Sequence, residues 1–178
     1  MSENAKKLCV LFPGIGYHCD KPLLYYSEKL ARSKGYETKK LEFSGFGSKE
    51  EAPCHALALA EKQLEEVDFS AYSRVVFIGK SLGTIVCLAY RDSKKIGAEA
   101  VLLTPLTFTF DFPAQNCIAF HGTADPWAAA ADIERLCSEK GVPLYTYPGA
   151  NHSLETGRTL DDIAAMSDII GKIAGIID

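Results

Sequence analysis

Five consecutive residues, Gly79-Lys80-Ser81-Leu82-Gly83, carry the pattern G-x-S-x-G. A serine hydroxyl alone is a poor nucleophile. It becomes reactive when a base takes its proton and a carboxylate orients that base. Arg74 to Ile78 is apolar and β-branched and reads as a strand, and a small apolar helical run from Thr84 to Tyr90 follows. A serine at such a strand-to-helix turn sits on strained backbone, and glycines on either side let strand and helix pack closely. Its hydroxyl then projects at the carboxyl edge of a sheet. The Leu82 amide, at a helix N-terminus, faces the same point and can stabilise an anion. The bland reading of these residues is an ordinary strand-to-helix turn with a capping serine.

Loops at the carboxyl ends of parallel strands converge on one crevice, so a base and an acid are sought just after strands. His152 follows the last strand, in Pro148-Gly149-Ala150-Asn151-His152-Ser153. Asp125 follows the strand before it, in His121-Gly122-Thr123-Ala124-Asp125-Pro126. The order is therefore Ser81, Asp125, His152. Asp111, one strand earlier, is the alternative acid, and Asp-Pro is also a common turn starter. Tyr17, His18, Phe108 and Trp127 are expected to touch substrate, although aromatic residues are more often simply core. His121 is expected to support the site by packing, His55 to lie on the surface, and Glu155 is a candidate for holding the His152 loop. Cys19 beside His18 is an alternative nucleophile, but it lacks a sharp turn to expose it.

The positioning elements alternate along the chain. Lys7 to Phe12 is a continuously apolar run, the mark of a strand buried on both faces. The glycine-rich loop Pro13 to Asp20 follows; Asp20 is expected to cap a helix with Pro22 in its first turn. Tyr36 to Phe43 reads as a more polar edge strand. Ser48 and Glu51 form a capping-box pattern for a helix running to about Val67. After Ser81 come a helix to about Ser93, a strand from Ala98 to Leu103, an aromatic loop from Thr104 to Ala114 and a strand from Asn116 to Phe120. A helix from Trp127 to Lys140 stops at Gly141, and Val142 to Tyr147 is the last strand. Thr159 and Asp162 are expected to cap a final helix, in which Ile163, Met166, Ile169, Ile170, Ile173 and Ile177 recur at helical spacing. Six strands alternating with helices predict a three-layer α/β/α sandwich around a mostly parallel sheet.

The 178 residues, 47% hydrophobic, suit one domain spanning 1–178 with a full-sized core. A net charge of −4 with no basic stripe argues against a nucleic-acid partner. No apolar run approaches a membrane span, and Met1 to Lys7 leads straight into a strand without a leader's apolar core. Six scattered cysteines without C-x-x-C spacing read as reduced thiols of a cytoplasmic protein. Four histidines far apart give no metal-ligand spacing, so neither a metal nor another cofactor is expected.

The three pieces around Ser81, Asp125 and His152, with Glu155 closing the third, resemble an α/β-hydrolase over the whole chain. The resemblance is to the small, lidless, dienelactone-hydrolase-like esterases. It implies an α/β-hydrolase fold without a cap domain, since only Thr104 to Ala114 could form a lid. It implies a serine hydrolase of the carboxylesterase or thioesterase kind, acting on a small-molecule acyl substrate through Ser81, His152 and Asp125. The family usually carries an H-G pair after its first central strand. Here Pro13-Gly14 stands in that place, so the resemblance gives Ile15 as the second oxyanion donor beside Leu82. Two other readings stay open: a ligand-binding protein of this fold with slow or no turnover, and an acyltransferase.

Overall fold

The computed structural model describes residues 6–48 and 50–178. The expectation for the segment before Lys6 lies outside these residues. Six strands form one sheet: β1 (Lys7–Phe12), β2 (Tyr36–Lys40), β3 (Arg74–Lys80), β4 (Glu99–Leu103), β5 (Cys117–Gly122) and β6 (Leu144–Tyr147). Their order is β2-β1-β3-β4-β5-β6, and every pairing is parallel. Each step to the next strand therefore needs a crossover. Among the described residues, α1 (Pro22–Ser33), α2 (Ala52–Gln63), α3 (Leu82–Ser93) and α4 (Ala130–Lys140) supply four of the five, and α5 (Thr159–Ile177) follows β6.

Alternation along the strands builds two cores. Leu8, Val10 and Phe12 of β1 and Val75 and Phe77 of β3 face the layer containing Ala56, Ala60, Val86, Ile133 and Cys137. Cys9, Leu11, Val76 and Ile78 face the other layer, with Leu23, Leu24 and Ala31 of α1 and Ile169, Ile173 and Ile177 of α5. A strand buried on both faces needs this unbroken apolar run. Between β1 and β3 the winding reverses, because β1 continues to β2 on one side and β3 to β4 on the other. Ser81 stands at the carboxyl end of β3, on that switch point. Between β4 and β5 the chain makes only a short 3₁₀ turn, Thr107–Asp111. Among the described residues no helical cap interrupts the fold.

Several local expectations yield to longer-range partners. Asp20 does not cap α1, whose N-cap is Lys21 without a side-chain bond. Its carboxylate instead pairs with Lys40 Nζ at 2.9 Å on β2. β2 stops at Lys40 rather than Phe43, because the Gln63 side chain takes over the Glu42 backbone, accepting from its N–H and donating to its C=O, each at 2.9 Å. Ser48 accepts from the Glu51 amide at 3.3 Å, half of the expected box, but α2 ends at Gln63, short of Val67. Asp162 turns back to accept from the Thr156 amide and hydroxyl, so α5 starts without a side-chain cap. Val142 closes α4 by donating to Cys137 O at 2.9 Å, which delays β6 to Leu144. Within the described residues, no helix is long and apolar enough to cross a membrane.

Candidate active site

Ser81 has φ 54° and ψ −119°, a conformation unfavourable for a residue with a side chain. The surrounding structure over-determines it. The Ser81 amide donates to Leu103 O at 2.9 Å, and its carbonyl accepts from the Thr84 amide at 2.8 Å and hydroxyl at 2.7 Å. At Gly83 an added Cβ would lie 2.0 Å from Phe12 O. Only glycine lets the start of α3 abut the end of β1, which brings the serine beside the β1–α1 loop.

His152 rides on the β6–α5 loop. Asn151 donates to Glu155 O at 2.8 Å and its side chain accepts from the Ser153 amide at 2.7 Å, so the Glu155 backbone, rather than its carboxylate, shapes this turn. The loop packs against the last residue of β5: a Cβ on Gly122 would lie 2.2 Å from Ala150 O. β5 runs past Phe120 to that glycine because His121 and Gly122 still pair with β6. Asp125 opens the turn that follows, and its Oδ1 accepts from the Trp127 amide at 2.9 Å. That turn delays α4 to Ala130, later than its expected start at Trp127.

These elements bring the three side chains into contact. His152 Nδ1 lies 2.6 Å from Asp125 Oδ2, and His152 Nε2 lies 2.7 Å from Ser81 Oγ. A carboxylate only accepts, so Nδ1 carries the proton, and Nε2 is left bare to accept the serine O–H. Burial of Asp125 opposes its ionisation. Hydrogen bonds from His152 and the Trp127 amide, with the nearby imidazoles, outweigh it and hold the carboxyl below its usual range. His121, fully buried, aims Nε2 at Ala128 O, 3.1 Å away, which fixes the turn after Asp125. Among the described residues its Nδ1 has no hydrogen-bond partner, and it lies 3.8 Å from Asp125 Oδ2. Burial pushes its pKa down, against the pull of that carboxylate.

A cleft of about 650 Å³ opens over Ser81 and His152. Ile15, Leu82, Ile85, Leu106, Phe108, Phe112 and Trp127 make it apolar, and Glu50 and Asp111 contribute two carboxylates. Phe108 and Trp127 thus line this cleft, with the Trp127 ring 6.2 Å from that of His152. Asp111 lines the cleft while Asp125 holds the imidazole. Leu82 is the first residue of α3, so its amide has no intrahelical acceptor. Gly14 and Tyr17 exchange both backbone hydrogen bonds, at 3.1 and 3.3 Å, which leaves Ile15 and Gly16 at the loop tip.

Tyr17 and His18 do not line this cleft. His18 lies in a separate groove with Asp20 and Lys40, because the loop turns away after the Gly14–Tyr17 bridge. The Tyr17 ring lies beneath the serine turn, 4.9 Å from Lys80 Nζ. Cys19 is buried, donates to Leu41 O at 3.5 Å, and burial pushes its thiol up to about 12, which removes it as a rival nucleophile. Sequence reasoning passed over Lys80. It is 1% exposed, and a polar residue closing a strand that apolar neighbours bury on both sides was the available signal.

No protein-family model matches the chain, and no curated protein matches it in sequence. Solved structures do. An α/β serine hydrolase without lid from Xanthomonas campestris matches with a TM-score of 0.65 over 99% of this chain and 83% of its own, at 13% identity. The Pyrococcus furiosus esterase Pf2001 matches with a TM-score of 0.71 over 97% of this chain and 83% of its own, at 12% identity. Est1E from Butyrivibrio proteoclasticus matches with a TM-score of 0.67 over 97% and 90%, at 14% identity, and has also been solved with ferulic acid bound. At such identities the likeness is one of fold.

Proposed function

We propose that this chain, which has the α/β-hydrolase fold, is a serine hydrolase that cleaves carboxylic esters or thioesters of small to medium apolar acyl groups. The observation that carries the reading is the unbroken relay from Asp125 through His152 to Ser81, with contacts of 2.6 and 2.7 Å, at an apolar cleft. In this reading Ser81 Oγ attacks the acyl carbon while its proton passes to His152 Nε2. The Leu82 and Ile15 amides hold the oxyanion, each worth about 3 kcal/mol in related chemistry. The tetrahedral species collapses, its leaving alkoxide or thiolate takes the Nε2 proton, and an acyl-serine remains. Water then attacks the acyl carbon and gives a proton to Nε2. Collapse frees the acid and returns that proton to Oγ. Asp125 holds the Nδ1–H tautomer and stabilises the imidazolium formed in both halves.

The cleft supports an apolar, uncharged acyl group: its described lining offers aromatic and aliphatic walls, two carboxylates, and neither Lys nor Arg. The six cysteines are free, which suits a reducing compartment such as the cytoplasm. The test is a chain-length series of p-nitrophenyl esters and thioesters, with methyl ferulate as an aromatic member, run beside Ser81→Ala and fluorophosphonate labelling. Wild type should label at Ser81 and turn over neutral acyl esters. Ser81→Ala should lose about 10⁶-fold in kcat, as loss of the serine does in a related triad. A folded wild type that neither labels nor hydrolyses any member would refute the reading.

A further inference from the structure

Lys80 ends β3 immediately before the serine, and its side chain is buried. An ammonium taken out of water is costly unless its donors are satisfied. Among the described residues, Nζ donates one hydrogen bond, to Thr104 Oγ1 at 2.6 Å, and lies 4.9 Å from the centroid of the Tyr17 ring. Both partners belong to the machinery around Ser81. Tyr17 closes the two-bond bridge to Gly14 that presents Ile15 and Gly16, and its hydroxyl accepts from the Leu23 amide at 3.1 Å, tying the loop to α1. Thr104 follows Leu103, whose carbonyl holds the Ser81 amide at 2.9 Å. Thr104 also has φ 46°, a left-handed value that disfavours a β-branched residue. Such strain persists where surrounding contacts enforce it.

We propose that Lys80 is a positioning residue for the reaction at Ser81: its ammonium, gripping the Tyr17 ring and the Thr104 hydroxyl, holds the β1–α1 loop where the Ile15 amide meets the oxyanion. The inference rests on the hydrolase reading above. The grip depends on charge, because the attraction of a ring face for an ammonium is electrostatic. Burial pushes Lys80 down to about 7, against the opposing pull of Asp125. The groups facing it are Tyr17 from the β1–α1 loop, Thr104 after β4, and Asp125 after β5. Tyr17 is pushed up to about 12 by burial and stays neutral, and Asp125 stays ionised, so Lys80 alone of these changes charge near neutrality. As the pH rises through that range the amine becomes neutral and the loop is released.

Lys80→Met keeps the apolar stem and removes the charge, while Tyr17→Leu removes the ring and leaves the lysine. The readouts are kcat and KM against pH on a p-nitrophenyl ester, the rate of fluorophosphonate labelling, and the backbone amide resonances of Ile15, Gly16 and Tyr17. In wild type, kcat should fall on the alkaline side of about 7, and the three amides should shift together over the same range. Lys80→Met should lose about 10- to 100-fold in kcat with KM little changed, less than removing an oxyanion donor outright. It should also lose both the alkaline limb and the shared amide shift. Tyr17→Phe should lose less than Tyr17→Leu. An amide shift that survives in Lys80→Met belongs to another group and overturns the assignment, as does a Lys80→Met enzyme with wild-type kcat and pH profile. Should Lys80→Met fail to fold, the two Tyr17 variants and the wild-type amide titration decide the question. Absence of wild-type labelling would sink the hydrolase reading, and the amide titration would still report whether Lys80 holds the loop.

Discussion

Two buried charges flank Ser81, and the structure treats them differently. On the β5–β6 side, the Asp125 side chain is fully buried and receives two donors, His152 Nδ1 at 2.6 Å and the Trp127 amide at 2.9 Å. On the β3–β4 side, Lys80 is also buried and, among the described residues, has one oxygen acceptor and the face of a ring. The carboxyl is held below its usual range, and the ammonium is pushed down to about 7. Burial opposes the charged form of each; it prevails at Lys80 and is outweighed at Asp125. What decides it is how many partners aim at the charged form. The acid side is built to keep its charge at every working pH, and the lysine side to hold its charge only conditionally.

The harshest way to break this contrast is to strip the charge from the well-partnered side. Asp125→Asn keeps the shape but can present its NH₂ to His152 and favour the wrong tautomer. We expect kcat to fall about 10⁴-fold, as in the comparable triad variant, with far less change in KM. A loss under tenfold, measured on the best p-nitrophenyl ester, would show that the buried carboxylate is not what holds the imidazole.

Stability against pH sharpens the contrast, because the two groups act in different windows. The folded-state pKa of Asp125 lies below its unfolded value of 3.8, so its contribution is complete above that value and disappears as the pH falls through the lower folded one. The deficit of Asp125→Asn relative to wild type should therefore be full at neutral pH and shrink in acid. Lys80 runs the other way. Its pKa falls from 10.5 to about 7 on folding, so across that interval the unfolded chain binds more proton and wild-type stability rises with pH. Lys80→Met lacks this term, so its stability relative to wild type should be best at and below neutrality and decline towards pH 10.5. Urea midpoints of the three proteins across pH would check both signs. Parallel curves would mean that neither charge is coupled to folding.

Much of this was legible because some sequence patterns encode steric necessity. The unbroken apolar runs announced strands buried on two faces, and Gly79 and Gly83 around a serine announced a tight strand-to-helix turn. His152 and Asp125 could be found because parallel strands deliver their following loops to one edge. Illegible were the features settled by competition between partners near and far in sequence. Asp20 had a helix start beside it and chose Lys40 on a neighbouring strand. Asp162 turned back to Thr156 instead of capping α5. Tyr17 and His18 are adjacent in sequence, yet one lies beneath Lys80 and the other in an outer groove. Lys80 stands at a variable position of G-x-S-x-G, where the pattern makes no demand on the side chain, and its partners Tyr17 and Thr104 come from loops distant in sequence.

The gentlest probe leaves the lysine in place and removes the Thr104 hydroxyl that accepts from it. Thr104→Val preserves branching and volume, so the backbone at φ 46° is burdened alike in both proteins and the comparison isolates the hydroxyl. A hydrogen bond to a charged group is worth about 1.5–3 kcal/mol, and one pKa unit corresponds to about 1.4 kcal/mol. Losing the 2.6 Å contact should therefore move the alkaline limb of kcat about one unit or more towards acid, with the maximum rate little altered. The direction is the informative part. A weaker hold on the charged form lowers the pH at which the proton leaves, whereas a merely structural hydroxyl would change stability and leave the limb where it is. No comparable single deletion is expected to neutralise the other side, because Asp125 keeps a second donor when either one is lost.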